Sequence, residues 1–208
     1  MTIEIDIAPL EKLARRMSDL GRSGVDNAAR IAINDGARFA VRVGTKDIAS
    51  QINLSQRYIS GGPNPRLGVV NFASNSNLEA VVRGRDRPTS LAQFSRTTRS
   101  FGRQRLAPSV KVDRSGSSKR IPGSFFMRLR RGTQMDGDNA NVGLAVRLKP
   151  GQRIPGKRVM GKPSRSGLYL LYGPSVGQAF RSSAERAADA TETRISNAFA
   201  RAMALGLK

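Results

Sequence analysis

Arginine is the residue through which this chain could act. Of its 36 Lys and Arg residues 28 are Arg, and only 15 Asp and Glu oppose them, leaving a formal charge of +21 on 208 residues. Guanidinium is planar, weakly hydrated and able to donate two parallel hydrogen bonds, which suits phosphate or carboxylate partners that lose water on contact. The density peaks between Arg83 and Arg131, where 14 basic residues are opposed only by Asp86 and Asp113. Within that stretch Arg96, Arg99, Arg103, Arg105, Arg114, Lys119 and Arg120 are the expected DNA- or partner-facing residues. Such a run can follow a phosphate backbone by counterion release without reading bases. Phe94, Phe101, Phe125 and Phe126 are few and apolar enough to belong to a core, so a base-stacking platform for single strands is not expected.

Catalysis finds little to work with. The chain has neither His nor Cys, which excludes a Ser-His triad, a thiolate nucleophile and soft metal ligation. Ser–Lys arrangements stay open, but no motif for one stands out. Gly61-Gly62 lacks the Gly-Lys-Ser/Thr ending of a phosphate loop. Asp136-Gly137-Asp138-Asn139 resembles the start of a calcium loop, yet its twelfth position is Arg147 rather than Glu. The acids are scattered and fall mostly on expected helices, not in pairs suited to general acid–base work. There is no zinc-finger spacing and no helix-turn-helix pattern. The expectation is therefore a binding or assembly protein: no enzyme, no catalytic residue, no metal and no cofactor.

The elements that must position these arginines follow from periodicity. The fold class expected is α+β, with N-terminal helices, an antiparallel sheet of about four to five strands and a long C-terminal helix. Ile3, Ile5 and Ile7 alternate with acids and read as a short strand or arm. Leu10, Leu13, Met17 and Leu20 give an amphipathic helix ending near Gly21. A second helix runs from about Val25 to Val43 on a stripe of Ala28, Ala32, Gly36 and Phe39, and Leu54 to Tyr58 gives a short third one. Strands are expected at 78–83, 110–113, 125–130, 142–149 and 168–172. The last helix follows Val176, Phe180, Ala187, Ile195, Ala198 and Leu205, with Ser175 as N-cap and Gly206 as terminator. The whole chain, 1–208, reads as one domain with extended basic loops at about 60–77, 84–120 and 150–166. An apolar share of 38% and an aromatic share of 5% leave a modest core. No N-terminal signal-peptide pattern is seen, and no apolar run approaches the roughly 18 residues of a membrane span, so the product is expected to be cytoplasmic when made.

Two stretches resemble a known family. Lys119-Arg120-Ile121-Pro122-Gly123-Ser124-Phe125-Phe126, followed by Leu129-Arg130-Arg131-Gly132, resembles the basic, Ile-Pro-Gly-Ala-Phe, then Gly stretch of the lambda-like minor tail protein Z family. Leu171-Tyr172-Gly173-Pro174-Ser175-Val176 resembles that family's ending before its C-terminal helix. Ser124 departs from the pattern, where the family usually has Ala. The resemblance implies structural roles for Ile121, Pro122, Gly123, Phe125, Gly132, Gly173, Pro174 and Val176. It also implies a tail completion protein of a tailed bacteriophage, located in the virion at the head-proximal end of the tail. Its partners would be itself in a ring, a hexamer by analogy with tail architecture, then a tail terminator or tube protein, a head completion protein and the double-stranded DNA in the channel. No membrane is involved. The alternative is a free, non-sequence-specific nucleic-acid-binding protein.

Overall fold

The computed structural model describes residues 8–95, 107–129, 142–149 and 167–206. The expected arm at Ile3–Ile7, the 150–166 loop and the 136–139 turn lie outside them. The elements in order are α1 (Ala8–Gln51), α2 (Gln56–Ser60), β1 (Leu67–Asn71), β2 (Val81–Gly84), β3 (Thr89–Ser90), the 3-10 turn η1 (Leu91–Phe94), β4 (Ser109–Val110), β5 (Lys119–Arg120), β6 (Ser124–Arg128), β7 (Val142–Arg147), β8 (Leu168–Gly173) and α3 (Val176–Gly206). The class is α+β, as expected. The chain divides into two compact units, one of Met1–Gly44, Gly68–Arg83 and Ala184–Lys208, the other of Thr45–Leu67 and Gly84–Ser183.

The first unit is built on helices. α1 breaks its helical geometry at Gly21, whose φ of 65° lies in the left-handed region that only glycine enters without strain. Of the expected stripe, Ala28, Ala32 and Gly36 are buried while Phe39 is half-buried; Ala37, off that stripe, is buried as well. Gly36 is the point of closest helix approach: a Cβ there would overlap the Ile195 side chain on α3. Asn34 uses both ends of its amide on one backbone position. Its Nδ2 donates to the Ala73 carbonyl at 3.0 Å, and its Oδ1 accepts from the Ala73 N–H at 2.8 Å. That buried pair fixes the β1–β2 sheet onto α1, and it offsets the poor helix propensity of Asn. Leu205 was expected on the packed stripe of α3. It is 70% exposed, and Met203 is the fully buried residue instead.

The second unit is built on a four-stranded sheet of order β3-β8-β7-β6. β7 is central, antiparallel to both neighbours, with Phe126 opposite Leu144 on β6 and Leu171 opposite Leu144 on β8. Every residue of β7 from Val142 to Val146 is buried, because both of its faces are covered. Phe94, Phe126, Leu144, Leu171 and Val176 form the fully enclosed part of this core. The alternation expected for 125–130 ran on Phe125, Met127 and Leu129. The buried face of β6 is instead Ser124 and Phe126, with Phe125 half-buried.

The four-stranded antiparallel sheet falls within the expected four to five strands, and two further two-stranded sheets are present among the described residues. The segments at 78–83 and 110–113 do not join the main sheet: β2 pairs with β1, and β4 with β5. The spans read as loops at 60–77 and 84–120 carry β1, β3, η1, β4 and β5. Strands of two residues are too short to display a period of two, so their sequence carries no signal. They persist because backbone groups around them are paired, as in Lys111 N–H to Phe94 O at 3.0 Å and Ser95 Oγ to Ser109 O at 2.8 Å.

Candidate functional site

The second unit holds an open cleft of about 590 Å³. Its floor is apolar, made of Leu91, Val110 and Val112. One wall is the β4–β5 turn and its exit, with Gly116, Ser117, Lys119 and Ile121. The other is the end of β8 and the start of α3, with Tyr172, Gly173, Pro174 and Gln178. Residues of the two stretches that carry the family resemblance, some fifty residues apart in the chain, thus line one cleft: Lys119 and Ile121 from the first, Tyr172, Gly173 and Pro174 from the second.

Each wall has a local cause. β5 pairs with β4 in antiparallel register, Val110 opposite Lys119 and Ser109 opposite Arg120. Ile121 is then buried, and Gly123 takes a φ of 72° to turn the chain into β6. Opposite, a Cβ on Gly173 would sit 2.9 Å from Phe94 Cε2 and 3.0 Å from Leu91 Cδ2, so the aromatic core approaches β8 only because that position is bare. Pro174 leads into a reciprocal N-cap. Ser175 Oγ accepts from Gln178 N–H at 3.0 Å, and Gln178 Oε1 accepts from Ser175 N–H at 3.0 Å. This is a capping box, satisfying two donors at the start of α3. Val176, at the first helical position, is buried.

The basic residues divide by role. Lys119 and Arg120 are exposed on β5, and Lys119 lines the cleft. Arg114, expected to face DNA or a partner, donates from a guanidinium nitrogen to the Ala49 carbonyl at 3.0 Å, while its N–H reaches the Gln51 carbonyl at 2.8 Å. It closes the C-terminal end of α1, where free carbonyls and the helix dipole favour a cation. Asp113, on the cleft rim, accepts from Ser115 N–H at 3.2 Å and Ser115 Oγ at 3.0 Å. Pro122 is exposed and Phe125 half-buried. Arg96, Arg99, Arg103, Arg105 and Gly132 lie outside the described residues.

The cleft has no partnered acid–base pair, and among the described residues no three Asp or Glu side chains gather to hold a metal ion. What it offers is a largely apolar trough with one ammonium, Lys119, and one carboxylate, Asp113, in its lining, a surface suited to docking a chain segment.

No family model, curated protein or solved structure matches this chain.

Residue-level reading of the sequence missed a second group, on the first unit. Arg194 on α3 grips Asp35 on α1 with Nε to Oδ2 at 2.6 Å and Nη2 to Oδ1 at 3.2 Å. Those hydrogen bonds, with the nearby charges of Arg194, Arg201 and Arg42, hold the Asp35 carboxyl below its ordinary range, against the upward push of burial. The Arg38 guanidinium lies 5.1 Å from the centre of the Phe72 ring, and those of Arg42 and Arg194 lie 5.8 and 5.9 Å from that of Phe39. The spacing of Arg38 and Arg42, four apart on one helix, was the available signal. Gly177 was also missed: its N–H donates to the Arg85 carbonyl at 2.9 Å, in a contact that a Cβ on Gly84 would close to 2.8 Å from the Gly177 Cα.

Proposed function

We propose that this chain is a structural tail-completion or head–tail junction protein of a tailed bacteriophage. It forms a homo-oligomeric ring, a hexamer in keeping with tail symmetry, at the head-proximal end of the tail in the virion. It catalyses nothing and uses no cofactor. Its neighbours are a tail terminator or tube protein and a head completion protein, and its basic surface meets them or the double-stranded DNA in the channel.

One observation carries the reading: residues of the two motif stretches, Lys119 and Ile121 from one and Tyr172, Gly173 and Pro174 from the other, line a single, largely apolar cleft. A cleft of that kind takes a segment of a neighbouring protein, and a ring subunit needs such a contact. The charge of +21, mostly Arg, supports the polyanion half of the proposal. Among the described residues no helix is long and apolar enough to cross a membrane.

Interrupting the coding sequence in the genome that carries it tests the proposal. The expected result is filled heads and complete tails that stay unjoined, with joining restored by the intact chain supplied separately. Joined, infectious particles made without the chain would overturn it and favour the free nucleic-acid-binding alternative.

A further inference from the structure

The α1–α3 face of the first unit presents an arrangement that the cleft does not explain. Arg38, Arg42 and Arg201 are exposed, and Arg194 is half-buried. The carboxylate set among them, Asp35, is already engaged by Arg194. The face therefore keeps a net excess of positive charge. Arg42 and Arg201 reach Asp35 only through space and form no salt bridge among the described residues.

Two of the exposed guanidinia are also held in place. Arg38 lies over Phe72, and Arg42 lies near the Phe39 ring that Arg194 also approaches. A cation–π contact of this kind restrains a guanidinium and leaves its N–H groups open to a second partner. Less side-chain freedom is then lost on binding. Arg38 and Arg42 stand one helical turn apart, a rise of about 6 Å, which lets the two guanidinia reach neighbouring phosphates of one strand. Phe72 is 51% exposed, yet with Arg38 over its ring it is poorly placed to stack on a base. Contact with the backbone is favoured over contact with bases.

We infer that the face formed by Arg38, Arg42 and Arg201 is a docking site for the phosphate backbone of duplex nucleic acid, read without regard to sequence. This rests on the polyanion half of the proposed function and names the surface that serves it.

The test uses the full-length protein and a short duplex of arbitrary sequence, with affinity measured by fluorescence anisotropy over a series of salt concentrations. One triple variant carries Arg38→Gln, Arg42→Gln and Arg201→Gln. A control triple, Arg57→Gln, Arg87→Gln and Arg147→Gln, removes the same charge from exposed positions of the second unit outside the cleft. The α-face triple should weaken binding and reduce the slope of log K against log salt by about 2 to 3, at roughly 0.9 per lost phosphate contact. The control should leave the slope unchanged. Equal losses in both triples would reduce the effect to net charge and overturn the site, as would an unchanged slope in the α-face triple. Equal weakening toward polyglutamate would assign the face to carboxylate surfaces and overturn the phosphate assignment. If the triple does not fold, Arg201→Gln alone should lower the slope by about one, and no change there also overturns the site. Wild-type protein that binds no duplex would remove the DNA contact from the proposed function as well. Wild-type binding with an insensitive α-face would remove only the site.

Discussion

Ser124 carries a hydroxyl into the core of the second unit at the position where the resembling family has Ala. It is 5% exposed, and its Oγ has no hydrogen-bond partner. A buried polar atom left unpaired costs about 1–3 kcal/mol, so Ser124→Ala should stabilise the protein by about 1 kcal/mol. A urea midpoint that fell on this substitution would contradict the reading. Asp35 gives a pH signature on the first unit. Its carboxyl titrates below the ordinary value near 3.8, held there first by the hydrogen bonds from Arg194. A depressed folded value means that the unfolded chain takes up the proton first as pH falls. The contribution is therefore complete above about pH 4 to 5 and is lost as pH drops through the folded value. Wild type should exceed Asp35→Asn in urea midpoint at pH 7, and the gap should narrow toward pH 3. A gap that widened on acidification would contradict the ion pair as the cause.

Helix ends and helix crossings set the elements. Ser175→Ala removes one half of the capping box at the start of α3 and should cost about 1 kcal/mol, read as a lower melting temperature. Ser175 was legible as a cap because it precedes a long apolar stripe, while Gln178 as its reciprocal partner needed the folded geometry. The crossing at Gly36 makes a sharper test. Ala in a helix interior is normally better than Gly by about 1 kcal/mol, but here its methyl would overlap Ile195. Gly36→Ala should therefore destabilise by about 1–3 kcal/mol, and adding Ile195→Ala should recover part of the loss. Independent, additive effects would show that the two positions do not touch. Long elements were legible throughout: the break at Gly21, the Ala stripe of α1, β7, β8 and α3 all follow from spacing. The second helix, however, continues to Gln51 rather than ending near Val43, because nothing in 44–51 forces a stop. β4 and β5 pair with each other in two-residue strands too short to show a period of two. β3 exists through a partner distant in the chain, Thr89 opposite Gly173, which no local pattern records. The same holds for the cleft. Its walls were each visible as motifs, but their convergence was not.

At the scale of the molecule, charge is the dominant fact. A chain at +21 repels copies of itself in low salt, so ring formation depends on contacts that exclude water or on a polyanion that neutralises the excess. In the proposed ring the cleft would supply the first kind of contact and the α1–α3 arginine face the second. Self-association of the purified protein should accordingly strengthen with rising salt or with added duplex, measured by sedimentation. Association that weakened steadily with salt in the absence of nucleic acid would argue that electrostatic attraction between copies, not a water-excluding contact, holds them together. The central claim is that this chain is a component of a phage particle. Cryo-electron microscopy of the particles made by the genome that encodes it addresses that directly. The account predicts a ring of copies at the head-proximal end of the tail, identified by side-chain density, with arginines toward the channel. Particles that lack the chain altogether would contradict it.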